Sequence, residues 1–105
     1  MPCQSTALFT DMYELTMIDA ALESGTASRA CVFEVFNRRL PSRRRYGVVA
    51  GVARLLDAVE AFRFTDAQLG WLGERGVVRP QTLEFLAGLR FTGSITGYAE
   101  GECFF

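Results

Sequence analysis

Apolar positions recur at helical spacing through most of the chain and at extended spacing in two places. A first helix is predicted over Asp11 to Glu23. Thr10 or Asp11 can cap it, Asp11 and Glu14 have capping-box spacing, and Gly25 is a suitable stop. Its apolar residues (Met12, Tyr13, Leu15, Met17, Ile18, Ala20, Ala21 and Leu22) cover nearly the whole circumference, so the helix calls for neighbours on more than one side. Cys31 to Asn37 is a near-continuous run of β-branched and aromatic residues that predicts a strand, ended by Pro41 and an arginine-rich loop. Tyr46 to Ala50 reads as a short strand or an extended lead-in to the clearest helix, Gly51 to Phe62. There Val52, Leu55, Leu56, Val59 and Phe62 form one stripe, with Arg54, Asp57 and Glu60 opposite.

Thr65 to Gln68 is a capping box that starts a short helix through Leu69 and Leu72, stopped near Gly76. Pro80, at a first helical position, opens another, with Leu83, Leu86 and Leu89 on its buried stripe. From Phe91 the pattern turns extended, and it finishes on Gly101-Glu102-Cys103-Phe104-Phe105 without a polar tail. Two aromatics closing an unfinished strand imply a truncated domain, because an unpaired edge and bare rings invite aggregation. Residues 1–105 are therefore read as a single α+β domain, truncated at its C-terminal end.

The length, 105 residues, fits one compact domain. Half the residues are apolar, which excludes a disordered tail because such segments lack the apolar area to offset ordering entropy. Met1 to Thr10, the longest uncharged stretch, falls far short of the roughly 20 apolar residues that cross a bilayer. The N-terminus has neither a basic n-region nor an apolar h-region, so a cytoplasmic address is expected.

Eleven cations against twelve acids leave a net charge of −1, which removes the simplest argument for nucleic acid. The cations are unevenly placed, however. All are arginine, and Arg38, Arg39, Arg43, Arg44 and Arg45 fall together. There is no His, hence no imidazole ligand and no side chain that titrates unperturbed near neutrality. Cys3, Cys31 and Cys103 are odd in number and lack CxxC spacing, so they read as buried or incidental reduced thiols rather than a disulfide framework or zinc site.

One string is more specific than any periodicity. Thr10-Asp11-Met12-Tyr13-Glu14-Leu15-Thr16-Met17 resembles the N-terminal TDxYxxTM signature of the nicotinate phosphoribosyltransferases, a type II phosphoribosyltransferase family of NAD salvage. The resemblance continues in order through Val32 to Pro41, Tyr46 to Gly51, Arg90 to Gly93, and Glu100-Gly101. It implies the N-terminal α+β domain of such an enzyme, helices packed on a small mixed or antiparallel sheet, with the barrel domain absent from this chain. The implied reaction joins nicotinate to phosphoribosyl pyrophosphate, giving nicotinate mononucleotide and pyrophosphate, coupled to ATP hydrolysis through a phosphohistidine. ATP and Mg²⁺ are implied for the full-length enzyme and none for this chain alone, which is expected to be inactive. A homodimer sharing its site across the interface is also implied, with no nucleic acid or membrane partner.

Three residues carry over from the family as substrate-binding and none as catalytic or metal-binding. Tyr13 matches the signature tyrosine that stacks on the flat nicotinate ring of the neighbouring protomer. Spacing alone favours a core tyrosine packed on Met17, and it is the resemblance that favours the stacking role. Asp11 can be an N-cap, a site carboxylate or both at once: it meets Tyr13 on one ligand only from a non-helical cap geometry, where one oxygen can cap and the other face the site. Arg38 follows the FExFxR strand, where the resemblance implies an arginine that reaches the ribose 5-phosphate bidentately. The chain departs from the family at Asn37, where an aromatic is usual, and at Ser42 to Arg45, where a Gly-rich turn is usual.

Arg39, Arg43, Arg44 and Arg45 are expected to form a solvated face. Glu34 is expected to pair with an arginine, and Glu100-Gly101 to be a structural turn. A rival from another class is a non-enzymatic interaction module that uses the Arg38–Arg45 loop to bind RNA or an acidic partner. Its arginines are contiguous rather than interleaved with rings, unlike single-strand binders.

Overall fold

A computed structural model describes residues 5–105. The elements run α1 (Met12–Glu23), β1 (Gly47–Val48), α2 (Val52–Glu60), α3 (Asp66–Glu74), α4 (Pro80–Gly88) and β2 (Cys103–Phe104). The class is α+β, as the pattern predicts.

The core is helical. Ala7, Leu15, Phe64, Leu72, Val78 and Leu86 are buried together, and Ile18, Leu69, Leu83 and Leu89 pack at its edge. α3 and α4 pair most extensively and α1 lies against α4. Phe62 stacks edge-on to Phe64 with ring centroids 5.9 Å apart, carrying the chain from α2 into this core. Local chemistry sets the helix starts. The Thr65 hydroxyl accepts from the Gln68 amide while the Gln68 side chain accepts from the Thr65 amide, and Pro80 occupies the first turn of α4. Gln68 also donates to the Ser5 carbonyl at 3.2 Å, tying the N-terminal segment to α3.

Asp19 joins α1 to the start of α4. Its carboxylate accepts from the Arg79 amide at 3.0 Å, from Arg79 Nε at 2.9 Å and from the buried Thr82 hydroxyl. Arg79 also reaches the Asp19 carbonyl and pairs with Glu23. Charge-assisted bonds from three donors hold the Asp19 carboxyl below its ordinary value, the Thr82 hydroxyl contributing most.

The sheet is smaller than the sequence implies. β1 and β2 pair antiparallel, Gly47 opposite Phe104 and Val48 opposite Cys103, and the ladder is prolonged by Val49 donating to Glu102 and Gly101 to Val49. The Phe104 ring lies over Gly47, where a Cβ would collide with it. The predicted strand over Cys31–Asn37 does not form. Its segment has no regular structure and is unpaired, leaving Val32, Phe33 and Val35 at least 90% exposed. A strand needs a neighbour for its backbone groups, and no other described segment supplies one.

α2 is a second departure. The clearest amphipathic stripe in the sequence buries no residue fully, and Leu55 and Leu56 are about half exposed. The radius of gyration is 16.8 Å, against about 13 Å for a compact domain of this size. Residues 5–105 are thus a helical core carrying arms whose apolar faces have no cover.

Candidate functional site

The N-terminal end of α1 holds two of the three residues singled out in the sequence. Asp11 is the N-cap, with φ −74° and ψ 145°, the non-helical geometry that a shared site with Tyr13 requires. Its backbone carbonyl accepts from the Glu14 amide at 3.1 Å, but its side chain makes no capping bond, so the capping-box spacing of Asp11 and Glu14 is not used as one. The carboxylate is exposed and lines an open hollow with Leu8, Phe9, Thr10 and Glu14.

Tyr13 stands about 200° around the helix from Leu15 at 100° per residue. Leu15 is buried and Tyr13 is 59% exposed, with Met17 beside it equally bare. Tyr13 thus lies outside the core formed by the described residues, where the inward stripe of α1 is Leu15, Ile18 and Asp19. Tyr13 is not part of the lining around Asp11.

Arg38 sits on the exposed segment between α1 and β1, and no hydrogen bond or ion pair joins it to Asp11 or Tyr13 among the described residues. Arg39, Arg43, Arg44 and Arg45 are exposed as well, the solvated face expected of them. Glu34, expected to pair with an arginine, is exposed and unpaired among the described residues, because the strand that would have buried it is absent. Cys31 and Cys103 are free and exposed rather than buried, and Cys3 lies outside the described residues.

Glu100-Gly101 is a turn, as expected, and it does more than turn. Gly101 adopts φ 85°, and the two Glu100 carboxylate oxygens accept from the amides of Gly51 and Val52, each at 2.8 Å. Gly51, itself at φ 88°, leaves two amides free at the start of α2, and the carboxylate completes them. These bonds hold the Glu100 carboxyl below its ordinary value. Two of the sequence landmarks, Tyr46–Gly51 and Glu100-Gly101, are thus in direct contact. Sequence reasoning missed the Asp19–Arg79–Thr82 cluster, whose one signal was a carboxylate on the otherwise apolar stretch Met17 to Leu22.

Residues 8–105 match the family described as the nicotinate phosphoribosyltransferase N-terminal domain. The chain belongs to this family. It is 53% identical over 98 residues to the nicotinate phosphoribosyltransferase pncB1 of Mycobacterium tuberculosis, covering 93% of this chain and 21% of that protein. The pncB2 protein of the same organism is 44% identical over 102 residues, 94% of this chain and 21% of its own length. The Bacillus subtilis nicotinate phosphoribosyltransferase is 37% identical over 68 residues, 65% of this chain and 14% of its own. The chain thus spans about a fifth of the length of its Mycobacterium relatives. No solved structure matches it. Among the described residues no helix is long and apolar enough to cross a membrane, and no three His, Cys, Asp or Glu side chains cluster as metal ligands do.

Proposed function

We propose that this chain is the N-terminal domain of a cytoplasmic, homodimeric enzyme that makes nicotinate mononucleotide. The nicotinate ring nitrogen attacks the anomeric carbon of phosphoribosyl pyrophosphate, forming the N-glycosidic bond as pyrophosphate leaves, and ATP hydrolysis is coupled to the step. The observation that carries this reading is the similarity to proteins named nicotinate phosphoribosyltransferase along nearly the whole chain. Tyr13 is the ring offered to nicotinate across the dimer interface, and its exposure on the bare side of α1 supports that role. Asp11, with a carboxylate free of capping duty, shares that end of the helix. Arg38 grips the ribose 5-phosphate, a task suited to a permanently charged, bidentate guanidinium. Mg²⁺ and ATP are assigned to parts of the enzyme outside this chain, whose sequence has no His to carry a phosphoryl group.

The full-length protein carrying this chain, supplied with nicotinate, phosphoribosyl pyrophosphate, ATP and Mg²⁺, should accumulate nicotinate mononucleotide. Residues 1–105 alone should form none above a no-enzyme control. A folded full-length protein that forms no product would reject the reading.

A further inference from the structure

Residues 35–56 carry six arginines and no acid, whereas the rest of the chain has five cations against twelve acids. Charge is therefore segregated along a chain that is nearly neutral overall. Five of the six lie in the exposed segment before β1, and among the described residues the ion pairs engage Arg79 alone. The Arg44 amide donates to the Pro41 carbonyl at 2.8 Å, closing a reverse turn. A turn of this kind brings its first and fourth Cα atoms within about 7 Å. Arg38 lies three residues before Pro41, at most about 10 Å along an extended chain. The Cα atoms of Arg38 and Arg44 are therefore at most about 17 Å apart, within a Debye length at low salt.

Unpaired like charges held together on a turn repel one another, and nothing described in the chain offsets that cost. Their combined field is the physical property that such an arrangement provides. It acts over a Debye length of about 30 Å at about 0.01 M salt and about 3 Å at about 1 M. Its pull on an anion rises with the anion's charge, favouring linked phosphates over a single one. We propose that Arg43, Arg44 and Arg45 form an electrostatic collector for polyphosphate anions, raising their local concentration around Arg38 without themselves making the specific contact. The choice of a pyrophosphate-bearing ligand rests on the phosphoribosyl transfer proposed above; the attraction itself does not.

The test uses the 105-residue chain and the Arg43→Gln/Arg44→Gln/Arg45→Gln variant, in equilibrium dialysis against radiolabelled inorganic pyrophosphate and orthophosphate. Because these side chains are exposed, circular dichroism should show both proteins equally folded. Pyrophosphate should bind at least about tenfold more tightly than orthophosphate at about 0.01 M salt. The triple variant should lose about tenfold of that affinity there and less than about twofold at about 1 M. Equal binding of the two anions, an unaffected variant, or a loss that persists at high salt would overturn the collector. Saturation by a single-stranded RNA oligomer at concentrations where pyrophosphate does not bind would overturn it in favour of a nucleic-acid surface. In an active full-length enzyme the variant should lower kcat/KM for phosphoribosyl pyrophosphate and leave the KM for nicotinate unchanged. An inactive full-length protein would reject the proposed reaction, while the dialysis result would still decide the collector.

Discussion

Tyr13 and Leu15 stand two positions apart on α1 and face opposite environments, so their truncation should have opposite readouts. Tyr13→Ala in the full-length enzyme removes a ring that packs on nothing in the helical core. It should cost about 1 to 3 kcal/mol of transition-state stabilisation, taking base stacking as the proxy, or roughly 5- to 150-fold in kcat/KM. The melting temperature should hardly move. Calorimetry beside steady-state kinetics checks both, and a large loss of stability with kinetics tracking folded protein would return Tyr13 to a packing role. Asp19 and Glu100 give a second prediction at this scale. Both carboxyls titrate below their ordinary values of 3.8 and 4.5 in the folded chain. A depressed folded value means that the unfolded chain binds protons first as pH falls. Their contribution is complete above the ordinary values and is lost as pH falls through them towards the folded ones. Urea midpoints measured across this range should decline on the acid side, and the Asp19→Asn/Glu100→Gln variant should flatten that decline while starting from a lower plateau.

At the level of elements, α2 and α3 invert the order that amphipathicity alone would assign. Leu72 of α3 is fully buried, and Leu72→Ala should cost about 2 to 5 kcal/mol in urea denaturation because its cavity cannot collapse completely. Leu55 of α2 is half exposed, and Leu55→Ala should cost about 0.5 kcal/mol or less in the same chain. Near-equal costs at the two positions would show that α2 finds a cover in solution. α2 is held at its ends instead, by the Glu100 carboxylate at its start and by Phe62 leading into the core beyond its finish.

At the scale of the whole molecule, the exposed apolar surface of the described residues includes the Met12–Tyr13–Met17 side of α1, the Val32–Phe36 arm, and the Leu55–Leu56 stripe of α2. Surface of that kind on one small protein marks interfaces. The 105-residue chain should therefore self-associate in a concentration-dependent way in multi-angle light scattering, and a sharp monomer at high concentration would contradict this. In the full-length enzyme the same surface is proposed to meet the remainder of the polypeptide and the second protomer. The side of α1 carrying Tyr13, and Arg38 just beyond the Val32–Phe36 arm, would then belong to a site shared between subunits.

Residue order alone determined what depends on near neighbours. The helix starts at Thr65 and Pro80, the left-handed stop at Gly25, and the turn at Glu100-Gly101 are set by a capping box, a fixed proline φ, and glycines free to take positive φ. The TDxY string and its ordered landmarks were legible for the same reason, being contiguous patterns. Tertiary structure decided which apolar stripe is buried, because periodicity records that a face is apolar and not that a partner exists to cover it. It also decided that Cys31–Asn37 remains an unpaired arm, since a strand is completed by a neighbour distant in sequence. Asp19 with Arg79 and Thr82, and Glu100 with Gly51 and Val52, join residues 48 to 63 positions apart. Contacts at that range leave no local pattern to read and arise only when the chain closes on itself.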